Sequence, residues 1–151
     1  MKSLLNLLII YFTLIGFNGK AQLALAVAKN ENGSSIKYSL HSGAKMDDAI
    51  AKVKKEIEDQ SFKNVMILKS SENTGHELNK GFYVLIISSR KDYAGKLFVS
   101  YGLGASSKSK QEAIERAIIH LKEYDWGYEA KYGYAIEKEG EIENFYPKEE
   151  K

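Results

Sequence analysis

From residue 22 onward the chain alternates between two rhythms of apolar and polar positions, and it runs through the whole cycle twice. The apolar runs QLALAVA (22–28) and IKYSL (36–40) predict strands. The turn KNENGSS between them predicts a hairpin, because Asn32-Gly33 supplies residues that accept a positive φ. Ala49, Ile50, Val53 and Ile57 then recur at helical spacing, with Lys52, Lys54, Lys55, Glu56 and Glu58 largely on the other side. MDDAIAKVKKEIEDQ (46–60) therefore predicts an amphipathic helix, and NVMILK (64–69) a further strand. The second cycle reads GFYVLIISS (81–89), the turn RKDYAG, KLFVSY (96–101), the joint GLGASSKSK, QEAIERAIIHLKEY (111–124) and YEAKYGYAIEK (128–138). Its helical stripe is Ala113, Ile114, Ala117, Ile118 and Leu121, and Ser109 with Glu112 three residues on reads as a capping box.

The Ala-Ile pairs at 49/50 and 113/114 lie 64 residues apart, and the turn glycines Gly33 and Gly95 lie 62 apart. Matching order, element type and punctuation predict a duplicated β-β-α-β unit, the first over about 22–69 and the second over about 81–138. The expected fold is α+β, a single domain over 22–138. In it a mostly antiparallel sheet carries both helices on one face. The polar stretch 70–80 links the units, and 139–151, with the lone proline Pro147, reads as a charged tail.

Residues 1–21 carry a different pattern. Lys2 precedes an apolar run from Leu4 to Phe17, broken only by Asn6 and Thr13, and Gly19 and Ala21 are small residues at −3 and −1 of a cut after Ala21. This is the layout of a signal peptide, with an apolar run shorter than the roughly 20 residues a membrane span needs. The expected location is secreted or periplasmic, with no stable membrane anchor after cleavage; an uncleaved anchor is the alternative. The chain contains no cysteine, so neither a lipid-bearing cysteine nor a disulfide is available, and an apolar core must supply the stability. Of 22 Lys and Arg, Lys2 and Lys20 fall in the leader, which leaves 20 bases against 20 acids. Binding dominated by phosphate contacts needs a basic excess, so a nucleic-acid partner is not expected.

Two stretches invite chemistry. Gly102, Gly104, Ser106 and Ser107 precede the second helix, where free N–H groups can hold an anion. The spacing matches neither the P-loop, which ends in Gly-Lys-Ser/Thr, nor the Rossmann fingerprint, since Ser107 stands where a third glycine belongs. The sister joint Ser42-Gly43-Ala44 occupies the same place in the first unit, which favours a chain-direction requirement over an anion site. In the second stretch Trp126, Tyr128, Ala130, Tyr132, Tyr134 and Ile136 fall at period two, so a strand would align them on one face. That face is either core or a recognition surface with Trp126, Tyr128, Tyr132 and Tyr134 as its binding residues. His41, His76 and His120 fit no metal-ligand spacing, no serine sits in G-x-S-x-G, and neither a catalytic residue, a metal nor a cofactor is expected. Asn32-Gly33-Ser34 is a glycosylation sequon that a turn already explains.

The paired unit resembles small exported bacterial domains of unknown function. The resemblance rests on Ala24-Leu25-Ala26-Val27-Ala28 with Gly33 and Asp48-Ala49-Ile50, then on Gly95, Glu112-Ala113-Ile114 and Trp126-Gly127. It implies the duplicated fold and carries over no activity; several such domains have cysteines near the helix end, and this chain has none. Size, export and the absence of a catalytic constellation point to a non-enzymatic binding module. Its expected partner is a protein in the envelope or outside the cell, in the manner of an inhibitor or immunity protein. A carbohydrate- or peptidoglycan-binding module and a small hydrolase are the alternatives.

Overall fold

The computed structural model describes residues 22–43, 46–60, 62, 64–69 and 81–142. The expected leader (1–21), the connection (70–80) and residues 143–151 of the expected tail lie outside them. In the first unit β1 (Gln22–Lys29) and β2 (Ser35–Gly43) form a hairpin, α1 (Met46–Glu58) follows, and β3 (Val65–Lys69) returns antiparallel to β1. The second unit repeats this with β4 (Gly81–Lys91), β5 (Leu97–Ser106), α2 (Lys110–Tyr124), a 3-10 turn (Ala130–Tyr132) and β6 (Ala135–Ile142) antiparallel to β4. β6 runs into the stretch expected as tail, because Glu139 to Ile142 pair with Val84 to Gly81.

The duplication extends to single hydrogen bonds. In the first hairpin the Gly33 N–H donates to the Asn30 carbonyl (3.0 Å), and the Asn30 side chain accepts from the Ser34 N–H (2.9 Å). In the second, the Gly95 N–H donates to the Asp92 carbonyl (3.0 Å), and the Asp92 carboxylate accepts from the Lys96 N–H (2.8 Å). Gly33 and Gly95 have φ of 82° and 76°, which costs any other residue type steric strain.

The α+β class and the duplicated unit are as the periodicity predicts, but the strands do not share one sheet. They divide into two three-stranded sheets, ordered β2-β1-β3 and β5-β4-β6. The sheets face each other, and each helix covers the outer face of its own sheet. The central strands dictate this, because both of their faces are apolar. Leu23, Leu25 and Val27 on one face of β1 meet Leu85, Leu103 and Ala105 between the sheets. Ala24, Ala26 and Ala28 on the other face of β1 pack on Ala49, Val53 and Ile57 of α1. Val84 and Ile86 of β4 likewise pack on Ala113, Ala117 and Leu121 of α2. One continuous sheet with both helices on one side would leave Leu23, Leu25, Val27 and Leu85 in water, forfeiting about 1.5–3 kcal/mol for each large side chain. Tyr38 and Tyr101, with ring centroids 5.0 Å apart, extend the inter-sheet core to its edge.

α2 begins where the sequence pattern places it. The Ser109 hydroxyl accepts from the Glu112 N–H (3.1 Å), and the last turn closes with the Asp125 N–H on the Leu121 carbonyl (2.8 Å). Asp47 and Asp48 in the first turn of α1 and Lys55 in its last complement the helix dipole.

Candidate functional site

One end of the sandwich brings together both hairpin turns and the segment that follows α2. The two units are joined there by the Val99 N–H, which donates to Ser34 Oγ across the sheets (2.8 Å). Asp125, 5% exposed, organises the rest. Its Oδ1 accepts from Arg90 Nη2 (2.8 Å) and the Gly127 N–H (3.2 Å), and its Oδ2 from Ser100 Oγ (2.8 Å). A buried carboxylate needs partners of this kind to offset desolvation, and these tie the chain after α2 to β4 and β5. The Arg90 guanidinium lies over the Phe98 ring, 4.2 Å from its centroid. A Cβ on Gly127 would meet that guanidinium, so a larger residue there would have to displace the Arg90 head group from its present seat. The Tyr128 N–H returns to the Asp125 carbonyl (2.8 Å), and Ser88 Oγ donates to the Gly133 carbonyl (2.9 Å).

Trp126 sits between two inward-anchored residues, Asp125 and Gly127, and its side chain is 96% exposed. Tyr93, at the tip of the second hairpin, is fully exposed as well. With Phe98, Tyr124 and Tyr132 they border an open hollow of about 620 Å³. Lys29, Asn32 and Gly33 of the first unit and Lys91 of the second complete its walls, so the hollow belongs to both repeats.

The expected aromatic ladder is therefore only partly brought to the hollow. Residues 126–134 do not form a strand, and β6 begins at Ala135. The Asp125 anchor, the 3-10 turn (Tyr132 N–H to the Glu129 carbonyl, 3.0 Å) and Gly133 at φ 67° replace the alternation. Trp126 and Tyr132 reach the hollow. Tyr128 packs instead beside Val84 and Ile86, and Tyr134 precedes β6, partly exposed, outside the hollow. Sequence reasoning missed Tyr93, Arg90 and Phe98. Only Tyr93 left a signal, an aromatic ring placed in a hairpin turn.

The glycine joint is also redistributed. Gly102 and Gly104 lie within β5, paired with Ile86 and Val84 of β4. The Leu103 N–H points away from β4, to His120 Nδ1 (2.9 Å), so the N–H groups on either side of it point into the ladder. Cβ atoms on Gly102 and Gly104 would strike the carbonyl oxygens of Ala117 and Ala113. Ser106 is buried, donates to Glu112 Oε2 (2.8 Å) and accepts from the Lys108 N–H (3.0 Å), while Ser107 is exposed. The four residues do not share a loop, and the carboxylate at this helix start is Glu112. Hydrogen bonds from Ser106 and Arg116 hold it below the usual carboxylate range.

A second, shallower cleft of about 410 Å³ contains His41, Glu56, Tyr38, Tyr101 and Lys138. Glu56 Oε2 contacts both Ser39 Oγ and His41 Nε2 (2.6 Å), and these hydrogen bonds, Ser39's first, lower its pKa. The Ser39 hydroxyl donates to the carboxylate rather than to the imidazole, so the three do not form a serine–histidine relay. His76 lies outside the described residues. Among those described, no group of three or more His, Asp or Glu could hold a metal ion, and no helix is long and apolar enough to cross a membrane.

Comparison with models of known protein families, with curated proteins and with solved structures gives no match for this chain.

Proposed function

We propose that the protein is an exported, non-catalytic binding module that recognises a protein of the bacterial envelope, as an inhibitor or immunity protein does. The observation that carries this reading is Trp126, almost wholly in water on a turn braced by a buried carboxylate. An unbraced turn could fold an indole back onto the surface; this one holds the ring outward next to Tyr93 and the hollow. Trp and Tyr in such positions bury large areas on association with few rotors to freeze, and they dominate interface energies.

The test is capture of envelope proteins by the mature chain and by its Trp126→Ala/Tyr93→Ala variant. Both rings are exposed, so the substitutions should change stability by less than about 0.5 kcal/mol. The specific partner retained by the parent protein should be lost. Retention of that partner at parental yield by the folded variant overturns the reading. Binding of a glycan is the second reading, supported by the open indole face of Trp126. It predicts that the parent protein, and not the variant, co-sediments with insoluble peptidoglycan.

A further inference from the structure

We infer that the hollow takes an acidic segment of its protein partner; this rests on the binding-module reading and specifies the chemistry of the surface recognised. Net charge conceals the sign of this site, because acids and bases balance in the chain from residue 22 on. The ion pairs expose an imbalance: Arg90 matches Asp125 and Lys131 matches Glu129, which leaves Lys29 and Lys91 against the single charge of Asp92. Three carboxylates border the hollow, and each is engaged by its own chain. Asp125 is held by Arg90, Ser100 and the Gly127 N–H. Asp92 accepts from the Ala94 and Lys96 N–H groups of its turn (2.9 and 2.8 Å). Glu129 pairs with Lys131 (2.7 Å).

The bases are engaged unequally. Arg90 is bound to Asp125, yet its buried Nε has no hydrogen-bond partner among the described residues. Lys29 and Lys91 make no ion pair among the described residues. They come from different repeats, Lys29 at the end of β1 and Lys91 at the end of β4, and both line the hollow together with the exposed rings. The hollow thus offers two lysines without an ion-pair partner among the described residues, against one unneutralised carboxylate (Asp92), beside a set of aromatic side chains. A segment with carboxylates for the lysines and apolar or aromatic side chains for Trp126 and Tyr93 complements both. A neutral glycan leaves the lysines unused, and a basic segment is repelled by them.

Fluorescence anisotropy with labelled peptides tests this. Three peptides of about twelve residues share the same tyrosines and differ only in having glutamate, glutamine or lysine elsewhere. The glutamate peptide should bind about tenfold or more tightly than either of the others, and added salt should erase the advantage. Lys29→Glu/Lys91→Glu should reverse the preference toward the lysine peptide, with Lys29→Gln/Lys91→Gln as the milder variant if charge reversal perturbs folding. Failure of every peptide to bind, equal binding of all three, or indifference to the lysine substitutions overturns the proposal. Capture of the envelope partner that survives lysine reversal but not Trp126→Ala/Tyr93→Ala overturns the acidic-segment proposal alone and leaves the binding-module reading standing.

Discussion

His120 is 2% exposed and sits over the outer edge of β5. Its Nδ1 accepts from the Leu103 N–H, so the proton of the neutral ring is on Nε2, which has no hydrogen-bond partner among the described residues. The Tyr124 ring meets it edge-on, 4.6 Å between centroids. Burial pushes its pKa down to about 4 from 6.5. A histidine with a lowered folded-state pKa stabilises the protein fully above its unfolded-state value, and that contribution is lost as pH falls toward the folded-state value. Unfolding free energy should therefore drop between about pH 6.5 and pH 4 by an amount on the order of 3 kcal/mol. His120→Gln keeps an acceptor for the Leu103 N–H without a titrating ring. Urea unfolding across this range should show the drop in the parent protein and a much flatter profile in the variant. Sixty-four positions earlier, Glu56 occupies the matching place on α1, partly exposed and bound to side chains of β2 rather than to its backbone. One helical position reaches for the edge strand in both units, by different chemistry.

At the scale of elements, the two helices sit differently on their sheets. α1 is shared between β1 and β2, whereas α2 lies chiefly over β5. The strands are graded to match. Under α1 the central strand is small, with Ala24, Ala26 and Ala28, and the edge strand carries Ser39 and His41. Under α2 the central strand carries Val84 and Ile86, and the edge strand is pared down to Gly102 and Gly104. This explains why only the second joint is rich in glycine: the helix backbone rests on that strand. Gly104→Ala should cost about 1–3 kcal/mol or more, since the new methyl group meets backbone rather than a movable side chain. His41→Ala, at the matching exposed position of β2, should cost much less; urea midpoints of the two variants make the comparison. The helical stripes, both hairpin turns and the Ser109 cap were legible because each depends on residues a few positions apart. The sequence pattern ends β5 at Tyr101 because glycine has low strand propensity, whereas the reason for its glycines lies on another element. The alternation from Trp126 to Ile136 was misleading for a similar reason. What bends that segment is Asp125, through Arg90 and Ser100, which are distant in sequence.

At the scale of the molecule, the layers run α1, sheet, sheet, α2, and the seam between the sheets holds the halves together. Leu23, Leu25 and Val27 are buried only because Leu85, Leu103 and Ala105 oppose them. The division into two sheets could not be read from the runs themselves, because a short apolar run does not announce that both of its faces need cover. A chain limited to residues 22–69 should therefore show no cooperative urea transition by circular dichroism, since it exposes that face and is small for an independent core. A sharp transition in this fragment would mean that the half is self-sufficient. The hollow has walls from both repeats, so it exists only while the seam is closed. Mass action then links occupancy to cohesion: a ligand at about one hundred times its dissociation constant adds about 2.7 kcal/mol to the unfolding free energy. A partner that touched only a few rings and lysines at one end would thereby clamp the two halves of the chain along an apolar seam it never reached.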